Sequence, residues 1–302
     1  MPERSVTSLT PPRLASLPVE RHQLEFSSRS LVVVTDGPRL LRAWGSPTRP
    51  WVVGVEPHGG RWRIEAWGVG PREARAAVRE MFSLDHPLEE FYRLVRREPA
   101  LRGTESRFRG LRLPRDANLF EALLHSIVGQ QLSVAAANAL KRRLFERTEA
   151  FVTADGQAVP CVPQPDRLIS LGPEGLRELG ISRAKSRALS QLAADVERVE
   201  ALVPALARAT VRSAIDSLIE LPGVGRWTAE NALLRGIGRP DVFVAGDLGL
   251  RVALDKFGAI PRSAPESQAR AWGARHYPGW GSYATLYLWR KLVAGRADAS
   301  AG

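Results

Sequence analysis

The residues with the clearest chemical capacity fall in one stretch, LPGVGRWTAENALLRGIGRPDVFVAGDLGL (Leu221–Leu250). Leu221 closes a helix and Pro222 stops it, because proline lacks an N–H and disfavours helical geometry in the residue before it. Gly223 and Gly225 read as positions that allow positive φ and close backbone approach. RWTAENALLRG then restarts as a helix whose first N–H groups have no partners. With the positive end of the helix dipole behind them, they form a phosphate site, and Arg226 adds a charge-assisted contact. The same turn, with Val224 at its tip, exposes the carbonyls of Ile219, Leu221 and Val224 as candidate ligands for a monovalent cation held against a phosphate. An ordinary αα-hairpin with glycine in its turn is the plainer alternative.

Asp247 is the second feature. It follows the apolar run VFVAG and precedes LGLRVAL, which begins a helix at the aspartate. Taken alone, it reads as the N-cap of that helix. A carboxylate held at a partly apolar helix start can also meet a developing cation in low dielectric. Cleavage of an N-glycosidic bond generates such a cation, an oxocarbenium-like sugar.

The elements that position these residues show two textures. From about Gln23 to Trp67 the runs HQLEF, SLVVVT, LLRAWG, WVVGVE and RWRIEAWG read as strands separated by Gly/Pro turns. RWRIEAW alternates, with Trp62, Ile64 and Ala66 on one face of a half-buried strand. PREARAAVREMF follows as a helix with proline in its first turn. After Pro87 the pattern is helical to the end, with Asn118 and Glu121 capping LFEALLHSIVGQ and Ser133 opening VAAANALKRRLFER. The expectation is a mostly α protein, with a loose tail over 1–18, a small α+β antiparallel-sheet domain over 19–86 and a helical core over 87–302, hairpin at 213–236.

Composition bounds the function. The chain has 302 residues and a formal net charge of +11, which favours polyanionic partners. Only four of the 43 basic residues are lysines, so part of that charge reflects arginine-rich composition. One cysteine, Cys161, excludes an internal disulfide and a four-thiolate zinc or iron–sulfur site, and reads as an apolar filler. The five histidines show no paired metal-ligand spacing. No stretch reaches membrane-spanning length, and no apolar leader opens the chain. The expectation is a cytoplasmic, nucleoid-associated monomer with no membrane partner.

Together, LPGVGRWTAENALLRG and DVFVAGDLGL resemble the signature of the helix-hairpin-helix (HhH-GPD) DNA glycosylases. GLRLPRDANLFEALLHSIVGQQLSVAAANAL and GWGSYATLYLWR match further out, and the chain is most similar to the bacterial AlkA-like 3-methyladenine DNA glycosylases. The resemblance is specific from about Gly110 to Leu292 and implies an N-terminal sheet-and-helix domain before two helical subdomains with the active-site cleft between them. Asp247 takes the position of the catalytic aspartate, and a damaged base is flipped out of duplex DNA into the cleft. Gln131, with Leu132 beside it, takes the wedge position, where the AlkA-type pattern places an apolar residue; a plain helix–helix joint with Gln130 and Gln131 capping backbone is the alternative.

Trp289 matches the family's stacking tryptophan, whose face attracts a cationic alkylpurine, and Trp227 lies at the hairpin helix near the cleft. Tyr283, Tyr287 and Trp280 read as core of the last helix. Where close relatives carry a pocket tyrosine four residues after Trp227, this chain has Asn231. Glycosylase/lyases of the superfamily place a nucleophilic lysine at Trp227, and tryptophan cannot form a Schiff base. The resemblance thus implies monofunctional hydrolysis of alkylated bases, with no required cofactor, no iron–sulfur cluster and, at most, a structural Na+ or K+ at the hairpin. A non-catalytic helix-hairpin-helix protein that binds or senses damaged DNA is the alternative. The scattered Arg29, Arg42, Arg61 and Arg63 suggest that the N-terminal sheet buttresses the helices and does not touch DNA.

Overall fold

The computed structural model describes residues 3–10 and 33–295 in full and the backbone of 296–300. Strands β1 (Arg4–Leu9), β2 (Val33–Asp36), β3 (Arg39–Ser46), β4 (Arg49–His58) and β5 (Arg61–Trp67) form one antiparallel sheet in the order β1-β5-β4-β3-β2. Part of the expected tail is therefore strand: Arg4–Leu9 pairs with Trp62–Trp67, completing the sheet edge next to β5. The predicted strand HQLEF lies outside the described residues.

Helix α1 (Pro71–Met81) lays Ala74, Val78 and Met81 on one sheet face, against Val53, Val55, Trp62 and Ile64. The other face is covered as well, so β5 is not half-buried along its length: Glu65 and Trp67 are buried with their neighbours. Leu41, Val52 and Trp67 meet Phe145, Val159 and Cys161 there. Burial pushes the Cys161 thiol up to about 12, as befits an inert filler.

The helical part begins with α2 (Leu88–Val95), α3 (Thr104–Phe108), α4 (Leu119–Gly129) and α5 (Val134–Arg147). Both predicted caps form: Asn118 accepts from Glu121 N at 2.8 Å and Ser133 from Ala136 N at 3.2 Å. Asn118 also donates to Gly45 O at 3.0 Å, tying α4 to the sheet. The expectation of helix to the end fails at β6 (Phe151–Ala154) and β7 (Gln157–Pro160), a hairpin that seals the second sheet face.

Then come α6 (Pro165–Glu178), kinked at Gly172, α7 (Arg183–Ala194), α8 (Val196–Ala201), α9 (Val203–Arg208), α10 (Val211–Ile219) and α11 (Arg226–Ala232). The chain closes with α12 (Leu248–Lys256), α13 (Glu266–His276) and α14 (Gly281–Ser300). Two cores divide these helices. One unites Leu119 to Val242; the other combines Leu88–Leu113 with Leu234–Ala294. The second core is thus assembled from both sides of the first, and the crossing at 234–247 brings α11, the DVFVAGD run and α14 to one seam. Tyr283, Tyr287 and Trp280 are buried in the second core, as read from their spacing. Among the described residues no helix is long and apolar enough to cross a membrane.

Candidate active site

Asp247 lies at this seam and caps α12, its Oδ1 accepting from Leu250 N at 2.8 Å. The N-cap reading is correct but incomplete. Trp289 Nε1 also donates to Oδ1 at 2.9 Å, and Trp227 Nε1 donates to Oδ2 at 3.2 Å. Two indoles from different helices and one backbone N–H therefore fix the plane of a half-buried carboxylate. Spacing alone does not predict the indole bonds.

The preceding run is pinned to the helix that carries Trp289. Ser282 Oγ accepts from Val242 N at 3.1 Å, Thr285 Oγ1 accepts from Val244 N at 3.4 Å, and Ser282 and Thr285 are buried. A Cβ at Gly281 would lie 2.7 Å from Phe243 N, so this glycine is what permits the close approach. Val242–Ala245 are buried because they cross between the two cores, and Asp247 emerges at the first polar position of the next helix.

Trp227, Asn231 and Trp289 line a cleft of about 470 Å³, within the size range of small-ligand sites. Asn231 is buried and donates to Trp227 O at 2.9 Å, bracing α11.

The cleft is also bounded by an ionic cluster that the sequence did not reveal. Asp116 receives Arg235 through two bonds of 3.0 and 3.2 Å, and Arg42 from β3 donates to Glu121 at 3.0 Å. The Arg235 guanidinium, helped by His125, holds the Asp116 carboxyl well below the usual range despite complete burial. Arg42 is thus a buried strut between sheet and α4, not one of a scattered surface set. His125 and Lys141 line the same cleft, and burial lowers the pKa of both. Lysine is scarce in this chain, and that scarcity was the available signal for Lys141.

The hairpin turn joins α10 to α11. Gly223 has φ +76°, and a Cβ there would lie 2.4 Å from Ala188 Cβ, so only glycine lets the turn pack on α7. Gly225 departs from expectation: its φ is −93°, an ordinary extended N-cap. What distinguishes it is open space, since a Cβ would meet nothing within 4 Å. The α11 start has no side-chain cap, and Arg226 is exposed beside it. Leu221 and Val224 are buried anchors of the turn, and Leu221 O accepts from Val224 N at 3.1 Å. Neither Ile219 O nor Val224 O accepts a backbone hydrogen bond among the described residues.

Gln130 and Gln131 behave differently. Gln130 donates to Gly223 O at 2.8 Å and Thr228 Oγ1 at 2.9 Å, joining the loop after α4 to the hairpin. Gln131 is exposed with φ +56°, a left-handed conformation rare for a residue with a Cβ, and Leu132 beside it is 40% exposed. Lys185 of α7 ties the base of this loop by donating to Val128 O at 3.0 Å and Gln130 O at 2.6 Å. Gln131 and Leu132 thus stand at a tip with a fixed base.

Comparison with known proteins fits this geometry. The profile of the HhH-GPD superfamily base excision DNA repair proteins matches residues 124–274. The chain is 29% identical over 215 residues to the DNA-3-methyladenine glycosylase of Bacillus subtilis (strain 168), covering 71% of each chain. It is 35% identical over 184 residues to DNA-3-methyladenine glycosylase 2 of Escherichia coli (strain K12), covering 60% of each. The solved 3-methyladenine DNA-glycosylase of Archaeoglobus fulgidus shares the fold, with a TM-score of 0.80 at 24% identity over 95% of this chain and 98% of that one. With the profile matching half of its length, over the hairpin and the aspartate, the chain belongs to the HhH-GPD superfamily of base excision DNA repair proteins.

Proposed function

We propose that this protein is a monofunctional DNA glycosylase that flips alkylated, 3-methyladenine-type bases from duplex DNA and hydrolyses the N-glycosidic bond. The carrying observation is the Asp247 carboxylate, oriented by Trp227, Trp289 and Leu250 N at a cleft with aromatic walls. Asp247 stabilises the oxocarbenium-like sugar as the base departs, and water completes the reaction. Because the carboxylate is held in advance, it needs no reorganisation at the moment of reaction. Trp227 occupies the place where a lyase of the superfamily carries its lysine, so the abasic strand stays intact.

Duplex DNA is the partner. The open N-terminus of α11 at Gly225 and the exposed Arg226 take the phosphate backbone, which carries affinity and no sequence information. The main-chain carbonyls of Ile219, Leu221 and Val224 suit a structural Na+ or K+ there, because the first and last are unbonded and Leu221 O keeps a second lone pair. Gln131, with Leu132, fills the gap left by the flipped base. The reading extends to a monomer whose N-terminal sheet buttresses the helices, as the buried Arg42–Glu121 pair suggests.

The test is base release from methylated duplex DNA by wild type and Asp247→Asn. The expected result is free methylated base from wild type only, with the strand unbroken until alkali is added, and DNA affinity of the variant intact or higher. Equal release by the variant would remove Asp247 from the chemistry. Tight DNA binding without release of any damaged base would favour a passive damage binder.

A further inference from the structure

Asp247 is held from two sides, and each side is tied to it differently. On the Oδ1 side, Trp289 belongs to α14, whose Ser282 and Thr285 are bonded to the run that leads into the aspartate. On the Oδ2 side, Trp227 belongs to α11, and an ionic group connects that helix to the turn before Asp247. Glu230 lies three residues after Trp227, on the same side of α11, and is fully buried. Its Oε1 accepts from Arg270 Nη1 of α13, and Arg270 Nη2 donates to Glu266 Oε1 at the start of that helix. The other oxygen of Glu266 rests against Gly246, where a Cβ would lie 2.9 Å from it. Gly246 has no positive φ, so this approach, and not its backbone conformation, calls for glycine. One guanidinium therefore joins α11 to α13, and the α13 carboxylate fits against the residue before Asp247.

Stability does not account for this arrangement. Glu230 Oε2 is buried with no hydrogen-bond partner among the described residues, and Arg226 Nη1 comes only within 3.9 Å of Oε1. A buried carboxylate with one oxygen unpaired costs free energy, and a well-packed apolar pair often holds two helices as firmly. What an apolar pair lacks is the fixed direction of two charge-assisted bonds from one planar guanidinium. We propose that Arg270, with Glu230 and Glu266, is a positioning residue of the reaction: it sets where Trp227 stands relative to the Gly246–Asp247 turn and thereby keeps the Trp227 bond on Oδ2. That bond is the longer of the two indole bonds, 3.2 Å against 2.9 Å, so a small shift of α11 breaks it first. Trp289 is outside the reach of this strut, because its tie to the aspartate runs through Ser282 and Thr285. The effect on base release rests on the glycosylase reading; the placement of the indole does not.

The experiment is a pair of double-mutant cycles on single-turnover base release from methylated duplex DNA at saturating enzyme. Arg270→Met is expected to slow release by about tenfold. In the Trp227→Phe background the same change should cost less than about twofold, since the bond it protects is gone, whereas in Trp289→Phe it should keep its full cost. Glu230→Met combined with Arg270→Met removes the strut without leaving a buried charge alone, and gives the same pattern should the single variant fold poorly. In parallel, exchange of the indole Nε1–H groups is followed with isotope-labelled tryptophan, the Trp227 and Trp289 signals being identified by their loss in the phenylalanine variants. Arg270→Met should speed exchange at Trp227 by about tenfold or more, through easier local opening, and leave Trp289 unchanged. Losses that multiply in both backgrounds, or a Trp227 indole that exchanges as in wild type, would overturn the assignment, since a merely structural arginine does not single out one indole. If wild type releases no methylated base, the glycosylase reading fails, and the two indoles alone decide. Selective acceleration at Trp227 then supports the strut, and equal or absent acceleration refutes it.

Discussion

Replacing Trp289 or Trp227 with phenylalanine keeps an aromatic face on the cleft and removes a single donor from Asp247. The carboxylate loses a 2.9 Å bond in the first case and a 3.2 Å bond in the second, while Leu250 N at 2.8 Å remains. A hydrogen bond to an ionised group contributes about 1.5–3 kcal/mol. If half or more of that acts in orienting the carboxylate, each single change slows base release by roughly 4- to 160-fold. The double variant leaves only the backbone donor on Oδ1, so the carboxylate plane turns freely and the loss exceeds the product of the singles. The assay is single-turnover release at saturating enzyme, with DNA affinity measured in parallel, because the donors orient the acid and do not hold the duplex. Single variants within twofold of wild type, together with a multiplicative double, would refute positioning by the indoles.

Two further outcomes follow from the geometry. Gly223→Ala forces a left-handed φ on a Cβ that also overlaps Ala188, and should destabilise the fold by about 2–4 kcal/mol, read from urea midpoints. Gly225→Asp has room, so it should leave stability nearly unchanged while weakening every duplex alike and flattening the salt dependence of binding; sequence-selective loss would contradict a phosphate role. Glu230 is fully buried on α11 beside Arg270, and burial pushes its carboxyl up to about 7 from 4.5. The folded state thus keeps a proton that the unfolded chain releases, and stability falls as pH rises from about 4.5 to 7, by on the order of 3 kcal/mol. Glu230→Gln cannot titrate, so the difference in denaturation midpoint between variant and wild type should change in the variant's favour from pH 5 to pH 8; a constant difference would show that Glu230 is ionised throughout.

Features set by neighbours in the chain were legible without coordinates. The caps at Asn118, Ser133 and Asp247 need only a side chain and an N–H three residues on, and all three form. β3, β4, β5 and the glycine-bounded hairpin follow for the same reason, because alternation and turn chemistry act over a few residues. The signature around Gly223 and Asp247 carried the family, since it records residue types at fixed spacing.

What the tertiary structure decided is long-range. β1 joins a strand some sixty positions away, and the short β6–β7 hairpin forms because the open sheet face needs cover, a demand no local pattern in Phe151–Pro160 expresses. Gly225 looks like Gly223 in sequence, yet only the packing of Ala188 separates a glycine required by contact from one left open for a partner. The second indole on Asp247, 42 residues away, and the buried Arg42–Glu121 pair between β3 and α4 depend on which segments cross. Sequence thus determined the chemistry available at each position, because residue type and local hydrogen bonding are short-range. The fold determined which of those groups meet and which are left unpaired, because burial and pairing are properties of distant segments brought together.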